Sequence, residues 1–408
     1  MSIRLGFRMP EIDMPLALAA LGLVCVGLLM VYSATSIPGA HEGLWSKQLM
    51  WAAVAFAAAW IVAAVDHRVY DSLAWPLYGI SLLLLVAVLV LGSSAYGAKR
   101  WLDLGPLKFQ PSELAKIATV LVLARRFDDP KVKLTRAAHW VPAALITIVP
   151  FLLVLREPDL GTSLAFPVVL VVMLYWGGMP LRQLVLGLTP VVNAAVTGIT
   201  GSPWWFGIPF VALLVALRPR WPALVALVLL NLGVAIATPQ VTHHLHDYQK
   251  RRIETFLKPG NDPYGAGYQV IQSQIAIGSG GVTGKGYLQG SQKALAFLPM
   301  RHTDFIYSVV GEELGLLGTL TVVLLYAVLV LRGLRLAVVS RNSFASLMAV
   351  GIVTALFYHI MVNMLMTIGW APVTGLPLPL ISYGGTALIV NGIEIGLLQN
   401  AALRRHEF

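Results

Sequence analysis

Apolar runs of roughly 16 to 25 residues recur along the chain, and each is long enough to cross the hydrocarbon core of a bilayer as a helix. The composition agrees, because 57% of the 408 residues are hydrophobic and only 12% are charged. Ordinary soluble domains carry about twice that share of charge. The period-two alternation that a membrane β-barrel needs is absent. We therefore expect an all-α, polytopic helical membrane bundle and exclude a water-soluble protein.

The apolar runs predict a single integral membrane domain over residues 1–408. The predicted spans are 14–34, 47–65, 74–92, 111–126, 138–155, 161–178, 184–200, 204–217, 221–239, 305–331, 344–368 and 386–402. A long polar segment, residues 240–304, separates the last three spans from the others.

Lysine and arginine are distributed unevenly between the two sides of this bundle. With the amino terminus in the cytoplasm, the inside segments carry roughly three times as many of them as the short outside loops. This bias predicts that both termini are cytoplasmic and that residues 240–304 face outside. The net charge of +10 largely reflects this orientation, so it gives no reason to expect a nucleic-acid partner.

Two outside segments are basic although that side usually lacks cations, and the first of them leads into the fourth span. That span opens with Pro111, which suits a helix start. Glu113 and Lys116 are three residues apart, so they share one helix face and can pair. An ionisable pair in a span is costly unless it faces protein or a wet cavity, which makes a functional site the first hypothesis. A structural or snorkelling ion pair stays the alternative.

The second basic segment is the long outside loop, which contains Asp262 among several lysines and arginines. A carboxylate can act as a general base, and neighbouring cations and backbone amides can hold a phosphate leaving group. This combination fits group transfer from a phosphorylated lipid. Taken alone, Asp262 would be a turn residue before Pro263.

Two further stretches predict polar backbone or side chains at membrane depth. Ionisable residues at the start of the tenth span suggest the lining of a polar cavity, with structural hydrogen bonding as the alternative. They are Arg301, His302, Asp304, Glu312 and Glu313. Residues 372–385 contain several Gly and Pro breakers around Ser382. Irregular backbone survives at membrane depth only where it is buried in protein or lines a water-filled site.

Seven strings of this sequence together resemble the SEDS family, named for shape, elongation, division and sporulation. They are residues 99–102, 110–116, 157–162, 262–268, 275–281, 301–305 and 377–385. Thr374 stands where division-type members usually carry Lys, which favours the elongation-type branch. Most members have ten spans, so the stretch of about 184–220 resembles an added helical hairpin.

The resemblance implies a peptidoglycan glycosyltransferase that polymerises lipid II at the outer face of the bacterial cytoplasmic membrane during cell elongation. It also implies a class B penicillin-binding protein, other elongation-complex proteins and membrane lipids as partners. Asp262 matches the essential loop aspartate of the family and would be the general base, while Trp101 matches an essential tryptophan. Arg100, Lys116 or a divalent cation, Mg²⁺ or Mn²⁺, would neutralise the pyrophosphate leaving group.

Besides the catalytic Asp262, the matched strings predict a set of substrate-binding residues. They are Arg100, Trp101, Gln110, Ser112, Glu113, Lys116, Asp159, Arg301, His302, Asp304 and Ser382. Two other classes stay open. A flippase or transporter of lipid-linked precursors would place its critical charges near the membrane midplane, and a non-catalytic scaffold would leave Asp262 dispensable.

Overall fold

The structure is a computed structural model that describes residues 12–36, 43–95, 98–104, 107–243, 255–256, 265–291 and 300–405. In chain order the elements are α1 (Met14–Thr35), α2 (Leu44–Ala64), α3 (His67–Leu91), β1 (Ser93–Ala95), β2 (Ala98–Leu104), β3 (Leu107–Phe109), α4 (Pro111–Asp128), α5 (Ala137–Arg156), α6 (Leu160–Ser163), α7 (Ala165–Trp176), α8 (Leu181–Thr200), α9 (Trp204–Leu217), α10 (Trp221–His243), α11 (Ala266–Ser279), α12 (Ile306–Val339), α13 (Ser343–Thr367) and α14 (Gly385–Leu403).

The helices confirm the expected all-α membrane bundle. Nine helices in the described part of the chain are long and apolar enough to cross a membrane. Two shorter apolar helices, Leu160–Trp176 and Trp204–Leu217, also coincide with predicted spans. The fourth predicted span is α4, which carries several charged residues and is almost entirely buried. The chain is therefore a multi-pass membrane protein. Helices α8 and α9 occupy the region in which the sequence predicts an added hairpin.

The ends of the central helices follow from local chemistry. Helix α4 begins with Pro111 and carries Glu113 in its first turn, while Arg125 and Arg126 lie in its last turn. The negative charge at the start of the helix and the positive charges at its end both interact favourably with the helix dipole. Asn342 is the N-cap of helix α13, because its side chain accepts a hydrogen bond from the backbone N–H of Ala345, the third helical residue, at 2.9 Å.

A small antiparallel sheet between α3 and α4 was not expected from the sequence. Its strand order is β1-β2-β3, and Trp101 on β2 pairs with Ser93 on β1. The strands are three to seven residues long, too short for an alternating pattern to stand out. The sheet fixes the position of Arg100 and Trp101, which both lie on β2, close to the start of α4.

Helices α4, α13 and α14 form the buried centre of the bundle. Helix α14 approaches α2 closely through small residues. A Cβ atom on Gly392 would lie 2.4 Å from the Ala55 carbonyl oxygen, and one on Gly396 would lie 2.6 Å from that of Ala59. Small residues are the usual means by which membrane helices bring their backbones together. Only glycine therefore fits at these two positions of α14.

The start of α1 and the end of α14 lie at the same end of the bundle. The Asp13 backbone N–H donates to the Gln399 side chain at 3.0 Å, and the Gln399 amide donates back to the Asp13 carbonyl at 3.0 Å. Helices α1, α3, α5 and α13 thus run away from this end. The start of α4, the α5–α6 turn and the segment before α14 all lie at the opposite end, which we call the site end.

Candidate active site

The segments that carry the sequence motifs converge at the site end. They are the β2–α4 region, the α5–α6 turn, residues 300–305 and residues 374–384. The Tyr383 backbone N–H donates to the His302 carbonyl at 2.9 Å, and the Tyr358 hydroxyl donates to the Gly161 carbonyl at 2.8 Å. Segments far apart in sequence therefore build one surface.

Arg100 on β2 is bound to the α5–α6 turn. Its guanidinium donates to the backbone carbonyls of Glu157, at 3.4 Å, and Pro158. It also lies 3.8 Å from the Asp159 carboxylate, which in turn accepts the Gln110 amide at 3.3 Å. The structure thus brings Arg100, Gln110 and Asp159 together, and here the arginine anchors strand β2 to this turn. Its contact with a pyrophosphate stays a prediction.

Glu157 is fully buried beside this arginine, and neither of its carboxylate oxygens has a hydrogen-bond partner. Burial, reinforced by the nearby charge of Asp159 and opposed by Arg100, raises the pKa of Glu157 from 4.5 to about 9. The side chain is therefore a neutral acid at pH 7. A protonated Glu157 can be buried here at lower cost, because an ionised carboxylate would lack the hydrogen bonds that offset its loss of water.

We expect Glu157→Gln to stabilise the protein, increasingly so as the pH rises. The raised pKa means that the stability contribution of the protonated acid is complete below pH 4.5 and is lost as the pH rises towards 9. Between these values each pH unit is worth about 1.4 kcal/mol, so the gain at pH 7 should be about 3 kcal/mol. Melting temperatures of the detergent-solubilised protein between pH 5 and 9 measure this. The control is Asp129→Asn, an exposed acid, and equal gains at all pH values would contradict the assignment.

Lys116 lies in a buried network of ionisable side chains from three helices. Its Nζ atom is 3.0 Å from Glu113 Oε2 and 2.8 Å from His359 Nε2 on α13. Glu394 on α14 interacts electrostatically with both members of the pair. All four residues are at most 5% exposed. An ammonium only donates hydrogen bonds, so His359 must accept with this nitrogen and be neutral.

His359 and Glu394 are the residues of this network that the sequence reasoning missed. A signal was available, because each is an ionisable residue inside a predicted span. The Glu113–Lys116 pair could be predicted from its spacing along one helix. His359 and Glu394 lie on helices more than 200 residues further along the chain, and His359 is 243 residues from Lys116. No local sequence pattern therefore connects them to Lys116.

Residues 300–305 and 377–385 are held together by hydrogen bonds to their backbone groups. The Ser382 hydroxyl donates to the Thr303 carbonyl at 2.6 Å and accepts the Leu378 backbone N–H at 2.8 Å. The Asn363 amide donates to the Asp304 carbonyl at 2.9 Å. Leu378 and Ser382 are buried, so this irregular backbone is enclosed in protein, as a broken segment at membrane depth requires. Ser382 therefore positions the segment.

The remaining predicted residues are placed less centrally. The Arg301 guanidinium is buried and donates to the Ala34 carbonyl at the end of α1, at 2.9 Å, and burial lowers its pKa. The His302 ring contacts the Tyr383 ring edge-on, with ring centroids 5.8 Å apart.

Three predicted residues remain, and two of them lie among the described residues. Ser112 is buried with no hydrogen-bond partner for its hydroxyl. Trp101 is half-buried on β2. Asp262 lies outside the described residues.

Two glutamates that suggested a cavity lining from the sequence are instead bound by the 280–291 segment. Glu312 accepts hydrogen bonds from Lys285 Nζ at 2.7 Å and from the Ser291 backbone N–H at 2.8 Å. Glu313 accepts the Leu288 backbone N–H at 3.1 Å and, on its other side, the Ser33 hydroxyl of α1 at 2.6 Å. These contacts fasten the segment to α1 and α12, so the alternative of structural hydrogen bonding describes both acids.

The described residues contain no group of three or more His, Cys, Asp or Glu side chains arranged to hold a metal ion. Asp262 and its neighbours lie outside the described residues, so the Mg²⁺ or Mn²⁺ ion implied by the resemblance stays a prediction. The charge-neutralising groups that this chain shows at the site end are side-chain cations.

Comparisons with known proteins agree with the geometry. A model of the cell cycle protein family FtsW/RodA/SpoVE matches residues 13–206 and 200–407. The peptidoglycan glycosyltransferase MrdB of Escherichia coli K12 is 37% identical over 399 residues, which are 97% of this chain and 94% of MrdB. A probable peptidoglycan glycosyltransferase FtsW of Trichlorobacter lovleyi is 33% identical over 406 residues, covering 98% and 95% of the two chains.

Solved structures give the same answer. A chain in the structure of a peptidoglycan synthase complex that coordinates polymerization and crosslinking superposes with a TM-score of 0.74 at 31% identity, covering 98% of this chain and 99% of that one. The rod shape determining protein RodA of Thermus thermophilus superposes with a TM-score of 0.66 at 28% identity, with the same coverage. The SEDS resemblance is thereby confirmed, and this chain belongs to the FtsW/RodA/SpoVE family.

Proposed function

We propose that the protein is a peptidoglycan glycosyltransferase that polymerises lipid II during cell elongation. The relatives named above are peptidoglycan glycosyltransferases. The observation in this chain that best supports the proposal is the buried Lys116 ammonium, held by Glu113 and His359 close to the site end. Lys116 is five residues from the start of α4, which is about 8 Å at 1.5 Å per residue. A cation at that depth suits the pyrophosphate of a lipid-linked donor.

The proposed reaction is a single displacement at the donor sugar. The Asp262 carboxylate takes the proton from a hydroxyl of the acceptor sugar, and the hydroxyl oxygen forms a bond to the donor anomeric carbon. The bond between that carbon and the pyrophosphate oxygen breaks, and undecaprenyl pyrophosphate leaves with the electron pair. Lys116 stabilises the negative charge that develops on the leaving group, because a fixed cation in a low-dielectric site needs no reorganisation.

The proposed orientation puts both termini in the cytoplasm and the site end outside. The excess of lysine and arginine in the inside segments supports it, and the shared end of Asp13 and Gln399 is consistent with it. A class B penicillin-binding protein would crosslink the glycan that this chain makes, together with other elongation-complex proteins. Membrane lipids surround the apolar outer surface of the bundle.

A flippase for lipid-linked precursors is the second candidate, and one observation favours it. The network around Lys116 places four ionisable side chains inside the bundle, a feature that transporters share. The two functions differ in product, since a flippase moves an intact lipid across the membrane and leaves every glycosidic bond unchanged.

The deciding experiment uses the full chain, reconstituted into vesicles with its penicillin-binding partner and labelled lipid II. We expect glycan polymers that grow with time, with the lipid pyrophosphate released in proportion. A heat-inactivated sample serves as the control. Movement of labelled lipid II across the bilayer without polymer would support the flippase and overturn the proposal.

A further inference from the structure

An apolar groove of about 710 Å³ runs between α1, α2 and α14. This volume lies within the range of about 300 to 1,000 Å³ that is common for ligand pockets. The groove follows α1 from Met14 to Leu28, a length of about 21 Å at 1.5 Å per residue. It therefore has the shape for an extended chain.

The close approach of α2 and α14 creates the groove. Gly392 and Gly396 bring α14 against the backbone of α2 at Ala55 and Ala59, and Gly392, Ala55 and Ala59 line the groove as well. Such small residues fill little of the space between the helices and α1. Leu21 on α1 supplies the opposite wall.

The lining selects an apolar ligand. None of the described residues that line the groove is charged. Its one amide side chain, Gln399, is already hydrogen-bonded to the backbone of Asp13 in both directions. A headgroup phosphate would find no cation inside. Lipid tails are as apolar as the lining, so burial alone cannot favour one lipid over another in a bilayer. A ligand must therefore be retained by its shape or by a headgroup bound next to the groove.

The groove adjoins the backbone segment that builds the candidate active site. Leu380 and Leu388 line it at this end. Gln48 on α2 donates to the Ser382 carbonyl at 3.1 Å and accepts the Gly384 backbone N–H at 3.3 Å. A Cβ atom on Gly27 would lie 2.8 Å from the Ile381 backbone. Both α1 and α2 thus press directly on residues 380–384.

The opposite side of that segment carries the site. The Ser382 hydroxyl and the Tyr383 N–H bond the carbonyls of Thr303 and His302. Residues 380–384 therefore contact both the helices that form the apolar groove and the polar backbone of the site end. We propose that the groove binds the polyprenyl chain of a lipid-linked substrate whose headgroup occupies the active site. This inference rests on the proposed function and adds the place where the substrate chain lies.

Cys25 provides a direct test, because it is the only cysteine of the chain and is exposed in the groove. The full chain in detergent with added phospholipid is treated with a membrane-permeant maleimide. We expect saturating lipid II to slow the alkylation of Cys25 at least threefold. A farnesyl-chain analogue with the same headgroup should slow it much less, because it fills only part of the groove. The control is C25S/L83C, which moves the thiol to an exposed position of α3 outside the groove.

A groove-filling substitution tests the same idea through kinetics. Ala17→Trp should raise KM for lipid II severalfold, with kcat nearly unchanged, and should leave KM for the farnesyl analogue unaltered. The matched control is Leu83→Trp, which adds the same side chain on the lipid-facing surface of α3 and should change neither constant.

Three results would overturn the inference. The first is unchanged Cys25 reactivity in a preparation that polymerises lipid II, which leaves the proposed function intact. The second is equal protection by a phospholipid of matched chain length, which assigns the groove to ordinary membrane lipid. The third is an equal KM effect of Ala17→Trp on both substrates. Failure of the proposed function itself differs from all three, since no polymer would form from either substrate.

Discussion

Polymerisation of lipid II should fall about 100- to 10,000-fold in Asp262→Asn, the range that loss of a general base usually costs. The amide keeps the size of the side chain but cannot take a proton from the acceptor hydroxyl. The rate of glycan formation in reconstituted vesicles measures the effect. Binding of lipid II should change little, because the proposed role of Asp262 is in the chemical step.

Two comparisons make this result decisive. Asp129→Asn removes an exposed acid whose carboxylate caps Lys131 N–H at the other end of α4, and it should keep full activity. An unaltered melting temperature for Asp262→Asn would show that the fold is intact. If Asp262→Asn makes polymer at the wild-type rate, the carboxylate is not the base, and a scaffold role or another base must replace it.

Lys116→Met should lower polymerisation about 100-fold, mainly through weaker stabilisation of the pyrophosphate. It should also destabilise the protein by about 3 to 5 kcal/mol, because it leaves a buried carboxylate without its partner. That carboxylate is Glu113, whose Oε2 lies 3.0 Å from the ammonium in the unaltered protein. The steady-state rate over a range of lipid II concentrations, together with the melting temperature, measures both effects.

The double variant E113Q/K116M separates the structural and functional readings of this pair. Removing both charges should restore much of the melting temperature, since no uncompensated carboxylate remains at that position. Activity should stay low, because the cation is still missing. Recovery of both stability and activity would show that Glu113 and Lys116 are only a structural ion pair.

The bundle itself was predictable from the sequence because a bilayer imposes a simple rule on chain segments. A helix that crosses it needs about 20 mostly apolar residues, and each predicted span contains a helix in the structure. The motif residues at the site end were predictable for a related reason. Charged and helix-breaking residues are rare enough in such a chain to stand out, as at Lys116 and in residues 377–385.

The partners of those residues were not predictable in the same way. His359 and Glu394 are ionisable residues in long apolar helices, and nothing in their neighbourhood connects them to Lys116. Arg100 reads as a free cation in a basic loop, but the fold binds it to the turn that holds Glu157 and Asp159. The short sheet that carries Arg100 also left no periodic pattern to find.

The sequence by itself determined that this protein is a helical membrane bundle with a cluster of motif residues at one end. Only the tertiary structure decided the state of the groups in that cluster. Burial raises the pKa of Glu157, so it is a neutral acid at pH 7. The Lys116 ammonium is held by Glu113 on its own helix and by His359 on α13. Distant partners, such as Arg100 on β2 and His359 on α13, are defined by packing and not by spacing along the chain.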